Sequence, residues 1–192
     1  MFDSKHKKPD LTPEEAAARR APMAAAPLKF DEEGVVQWDD MWDSYCILAL
    51  DGGPPHRGTL LAHTADVDTE SETYQFAVAE ITRAIKLVSG FDTSRHSPGW
   101  LRVECNNIGQ AYWLVDAILE ENVEAKLDGS GVLVPVADTF TLKGEIKNVV
   151  TAVAKTTHYW TEHVPAEVKQ TMEAQARLTA LKQRVFGFFK RR

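Results

Sequence analysis

The segment Gly52-Gly53-Pro54-Pro55-His56-Arg57-Gly58 gathers the residue types in this chain best suited to binding chemistry. Two glycines let the backbone approach a ligand closely, and Pro54-Pro55 holds the segment stiff and extended. From such a turn Arg57 presents a planar fork that matches a carboxylate or phosphate, and His56 can donate, accept or coordinate. The Gly-Lys-Ser/Thr ending of a phosphate-binding P-loop is missing. The same loop also reads as a rigid connector whose Arg57 neutralises Asp39, Asp40, Asp43 and Asp51. Ligand sites favour loops on rigid scaffolds, so the sequence admits both readings.

A second group of candidates lies on one predicted helix: Lys143, Lys147, Lys155, His158 and His163. Lys147, Lys155 and His158 are separated by eight and three residues, so they can share a flank. Cations near a helix C-terminus are also stabilised by the dipole, which accounts for His158 beside Tyr159-Trp160 without any ligand. The candidate ligand-binding set is therefore Gly52, Gly53, His56, Arg57, Lys147, Lys155, His158 and Trp160. No catalytic residue is predicted. A GxSxG elbow is missing, Cys105 reads as packing, and sequence places no carboxylate beside His56. No metal site is predicted either, because the histidines show no HxH, HExxH or Cys/His pairing at ligand spacing. The cofactor stays unknown.

These residues need a scaffold, and the periodicity supplies one. Tyr74, Ala77, Val78, Ile81, Ile85 and Val88 recur at helical spacing, and Gly90 stands where a C-cap belongs. Trp100 to Cys105 alternates as a strand does, and Asn106-Asn107 leads into a nearly all-apolar helix over about 109–121. Residues 123–136 read as a hairpin turning at Asp128-Gly129-Ser130-Gly131. A long helix over 142–163 stops at Pro165, and a last one spans 166–189. Ser44 to Leu50 fits a buried strand or a short apolar helix, and Gly58 to His63 a further strand. The predicted fold is α+β: a small, mainly antiparallel sheet with helices on one face and a ferredoxin-like topology.

Charge divides the chain into three parts. The balance is −1 over residues 1–34, −10 over 35–165 and +5 over 166–192, giving −6 in all. Residues 1–34 read as a flexible arm with a capped helix start at Thr12-Pro13-Glu14-Glu15. Residues 35–165 form the α+β domain, and 166–192 an amphipathic helix ending in an aromatic-basic tip. An acidic central domain repels phosphate backbones, so no nucleic-acid partner is expected. No apolar run reaches the ~18–20 residues of a membrane span. The N-terminus lacks the apolar stretch of a secretory signal. Cys46 and Cys105 are two isolated thiols in apolar surroundings, in keeping with a soluble cytoplasmic protein.

Two stretches together carry a resemblance. One runs from Trp38-Asp39-Asp40-Met41 through Cys46 to Leu50, the 52–58 loop and Thr59-Leu60-Leu61. The other runs from Glu145 to Lys155 and on to His158-Tyr159-Trp160. They resemble an accessory domain joined to, or encoded beside, sirohydrochlorin cobaltochelatases of the small single-metal type, over about residues 38–163. The resemblance implies a role in sirohaem or cobalamin synthesis, with a tetrapyrrole or a chelatase as partner. Arg57 and the helix lysines would grip the macrocycle's carboxylate rim, and Trp38, Trp42 and Trp160 would cover its face. The chelatase domain, with its early histidine motif, is missing from this chain, so a non-catalytic role is expected. Two other readings stay open: an assembly module, such as a homo-oligomer built through the tail helix, and a small enzyme on an anionic substrate with His56 as acid/base.

Overall fold

The computed structural model describes residues 27–45, 47–50 and 52–189. The predicted helix start at Thr12 lies outside the described residues, as do Cys46 and Asp51. In chain order the elements are α1 (Met41–Ser44), α2 (Ile47–Leu50), α3 (Glu72–Ser89), β1 (Thr93–Ser97), β2 (Trp100–Glu104) and α4 (Ile108–Glu120). There follow β3 (Lys126–Asp128), β4 (Gly131–Pro135), a π-helical turn (Leu142–Ile146), α5 (Lys147–Glu162) and α6 (Ala166–Phe189).

Local chemistry sets the main boundaries. Ser71 Oγ accepts from Tyr74 N–H to cap α3, and Gly90 closes it in the left-handed region. At α4 the cap is reciprocal: Asn107 Oδ1 accepts from Gln110 N–H, and Gln110 Oε1 accepts from Asn106 N–H. Within the Ser44 to Leu50 stretch, Ser44 ends α1 and Ile47–Leu50 form α2, each helix a single turn. The strand expected at Gly58–His63 shrinks to one parallel bridge between Leu61 and Val123. Beyond Leu61, His63 N–H goes to the Glu124 carboxylate at 2.7 Å instead of to a neighbouring strand. β1 has no counterpart in the sequence pattern. Its residues Thr-Ser-Arg-His-Ser are largely exposed at the sheet edge and carry no apolar alternation.

The sheet order is β1-β2-β4-β3, antiparallel throughout. β2 and β3 therefore run the same way with β4 inserted between them, the split β-α-β unit of ferredoxin-like folds. β1 flanks β2 on the other side, where a βαββαβ chain places its last strand. The arrangement is a ferredoxin-like sheet whose final helix and strand stand first in the chain, as α3 and β1. The register pairs Leu101 with Val134 and Val103 with Val132, and these four form the sheet's side of the core. Trp100, Arg102 and Leu133 alternate onto the opposite face. There the His63 ring stacks on Trp100 with centroids 4.3 Å apart, and Lys126 Nζ lies over the same indole.

α5 is the central helix. Val149 to Thr157 is buried without interruption, so α5 is enclosed rather than amphipathic. It packs against α3, α4 and α2. Ile81 and Ile85 of α3 are fully buried, each contributing roughly 1.5–3 kcal/mol through burial. α6 lies along α4, and a Cβ at Gly109 would fall 2.6 Å from the Glu173 backbone. No helix among the described residues is long and apolar enough to cross a membrane.

Candidate functional site

The 52–58 loop is tied to α5 by one buried lysine. Lys155 Nζ donates to Gly53 O at 2.5 Å, Pro54 O at 3.1 Å and Glu121 Oε1 at 2.5 Å. An ammonium has three protons, so every one is used. Its side chain is 3% exposed, and Glu121 is 10% exposed. Glu121 follows the last residue of α4, so one ion pair joins α4, α5 and the loop.

Glu121 also faces His56. Its Oε2 lies 3.6 Å from His56 Nδ1, beyond hydrogen-bond reach, and both atoms are buried without a hydrogen-bond partner among the described residues. The His56 ring is 4% exposed and packs 6.0 Å from the ring of Tyr45. Burial pushes the Tyr45 phenol well above its ordinary range, against the hydrogen bond to Thr151. A general acid or base must reach its substrate, and His56 is enclosed by protein.

Gly52 closes the loop against α5. Its φ is +79°, which favours glycine, and a Cβ there would press on the Tyr159 ring at 3.1 Å. A cavity of about 220 Å³ opens beside it, lined by Gly52, Trp113, Ala117, Glu120, Thr156 and Tyr159, with Lys155 and Glu121 also in its wall. The Trp113 and Tyr159 rings are parallel with centroids 5.9 Å apart, and His163 continues the stack from Tyr159 at 5.1 Å. One ammonium and two carboxylates line this groove, so it is not a cationic cradle.

The other sequence candidates are distributed elsewhere. Arg57 donates from Nε to Thr59 O, and its own carbonyl accepts from Asn122 Nδ2 at 2.6 Å. His158 packs on Trp42 and His163. Trp160 is buried against Trp113, with Lys169 Nζ 5.6 Å from its ring. Trp38 is wholly buried and donates its indole N–H to Glu80, so it belongs to the core and covers no ligand face. Lys147 lies two turns before Lys155 on α5, against a separate cavity of about 280 Å³ with Lys143, Pro27, Leu28 and Phe30.

Burial outweighs the nearby Arg102 charge and pushes the Cys105 thiol up to about 12, which marks it as a packing residue. Glu121, Trp113 and Tyr159 were not singled out as ligand residues from sequence. Glu121 stands 65 residues after His56, and no local pattern links them. No protein-family model matches this chain, and no curated protein matches it.

Proposed function

We propose that this chain is a non-catalytic binding domain whose ligand lies in the groove between the 52–58 loop and helices α4 and α5. The observation that carries this reading is the Lys155 ammonium, which spends all three protons on Gly53 O, Pro54 O and Glu121. That clamp fixes the loop as a wall before any ligand arrives, which lowers the ordering cost of binding. The parallel Trp113 and Tyr159 rings favour a planar ligand that stacks. The resemblance to the accessory domain of sirohydrochlorin cobaltochelatases makes sirohydrochlorin the ligand to test, with its planar face and not its carboxylate rim against the groove, because Glu120 and Glu121 repel anions. A cavity of about 220 Å³ takes one edge of such a macrocycle and leaves the rest for a chelatase partner. Cys105, a free thiol, supports a reducing, cytoplasmic setting.

Titration with sirohydrochlorin, read by tryptophan quenching and the Soret band, tests the proposal. Saturable binding is expected, weakened about tenfold or more by Ala117→Trp, which fills the groove while circular dichroism stays unchanged. No saturation, or equal binding by the variant, overturns it.

A second reading, an assembly module, draws on α6. Val168, Leu178 and Leu181 stand exposed along it. Sizing of a Leu178→Lys, Leu181→Lys double variant tests this: an unchanged oligomeric state removes the role of α6.

A further inference from the structure

Lys147, at the start of α5, is a largely buried lysine whose side chain has no partner among the described residues. It is 9% exposed, yet among the described residues it makes no hydrogen bond or ion pair. The carboxylate nearest in sequence, Glu145, is engaged elsewhere. Its Oε2 accepts from Thr141 N–H at 3.0 Å and Thr141 Oγ1 at 3.1 Å. Although burial works against ionisation, these bonds, with a contribution from the Arg57 charge, hold Glu145 below the ordinary carboxylate range. Asp31 is likewise occupied, accepting from Val35 N–H. Desolvation lowers the Lys147 pKa, so an anion placed beside its ammonium would be favoured.

The surroundings show what that would be. Lys147 lines a cavity of about 280 Å³ together with Lys143, and the remaining wall is Pro27, Leu28 and Phe30. Lys143 Nζ lies 5.9 Å from the Phe30 ring centroid, so the second ammonium is held on the same side. The two cations are four residues apart, across the turn where Gly144 leaves helical geometry with φ −104° and ψ −105°. The walls are therefore two ammonium groups and a small apolar surface. Lys147 and Lys155 are eight residues apart on α5, roughly 12 Å along its axis, so this cavity is distinct from the groove at the 52–58 loop.

The geometry points to a second binding site, in which Lys147 and Lys143 hold the oxyanion of a carboxylate or phosphate ligand whose apolar body rests on Leu28 and Phe30. The anion adds to a pair of cations: Lys147 supplies a partly desolvated charge, and Lys143 closes over the head group from the exposed side. This inference goes beyond the proposed groove ligand and does not depend on it.

Calorimetric titration of the full chain with inorganic phosphate and, separately, with benzoate tests the site. Saturable binding of one or both is expected at neutral pH, and the tighter of the two identifies the head group. Lys147→Met should weaken that binding about tenfold or more. Without an anion its melting temperature should equal or exceed the parent's, because the change removes a partly desolvated charge. Lys143→Gln, at an exposed position, should weaken binding to a smaller degree and keeps the site testable should Lys147→Met fold poorly. Ala117→Trp should leave both anion titrations unchanged. The inference is overturned if neither anion saturates at millimolar concentration, if neither lysine variant weakens binding, or if Ala117→Trp abolishes it.

Discussion

Lys155 Nζ and Glu121 Oε1 meet at 2.5 Å between α5 and the residue that closes α4, both side chains withdrawn from solvent. Removing one partner strands the other charge. Lys155→Met should cost about 3–5 kcal/mol, read as a lower urea midpoint. Adding Glu121→Gln should recover part of that loss, because the stranded carboxylate then becomes neutral. A double variant no more stable than Lys155→Met would show that the lysine's carbonyl bonds, rather than the ion pair, hold the loop.

Gly52→Ala should destabilise by about 1–3 kcal/mol. The alanine meets both the left-handed backbone and the Tyr159 ring 3.1 Å from its Cβ. Near-ultraviolet circular dichroism should change with it, since Tyr159 stacks on Trp113. An unchanged urea midpoint would mean that the loop shifts freely, against the role given to Lys155.

Glu124 sets part of the acid limb of stability. Burial opposes its ionisation, but the His63 N–H bond and Lys126 prevail and lower its pKa. A carboxylate depressed on folding stabilises above the ordinary glutamate value, and the benefit fades as pH falls through the lower folded value. Glu124→Gln should therefore lose about 1 kcal/mol at neutral pH and converge on the parent in acid. A constant gap down to acid pH would refute the assignment.

Cys105 should resist alkylation in the native state at pH 8 and react fully once unfolded, as read by mass spectrometry of the modified peptide. Its thiol is pushed up to about 12, chiefly by burial. Rapid native labelling would contradict the packing described around it.

Much of the scaffold was legible because its signals are local. Ser71 and Gly90 bracket α3, Asn107 caps α4, and Asp128-Gly129 turns the hairpin. The edge strand β1 was not, since its ladder is set by β2 and its own side chains carry no alternation. At the candidate site, the loop and Lys155 were both singled out, yet their roles differ from the anticipated grip on an anion. Whether a lysine is free or consumed depends on Glu121, a residue with no local link to either. Lys147 is the converse case: spacing groups it with Lys155, and only the folded chain separates the two, since among the described residues no side chain pairs with Lys147.

The clamp on the 52–58 loop also carries a consequence for synthesis. Gly53 and Lys155 are separated by 102 positions, and the bond between them is the longest-range of the side-chain ties on the loop among the described residues. A ribosome must add most of α5, and let it clear the exit tunnel, before the loop finds its partner. Throughout that interval α3 and the sheet can begin to assemble while the face reserved for α5 stays uncovered. Chains stalled before residue 155 would expose that apolar face to chaperones, so the loop is fixed only late in assembly, once α5 is made.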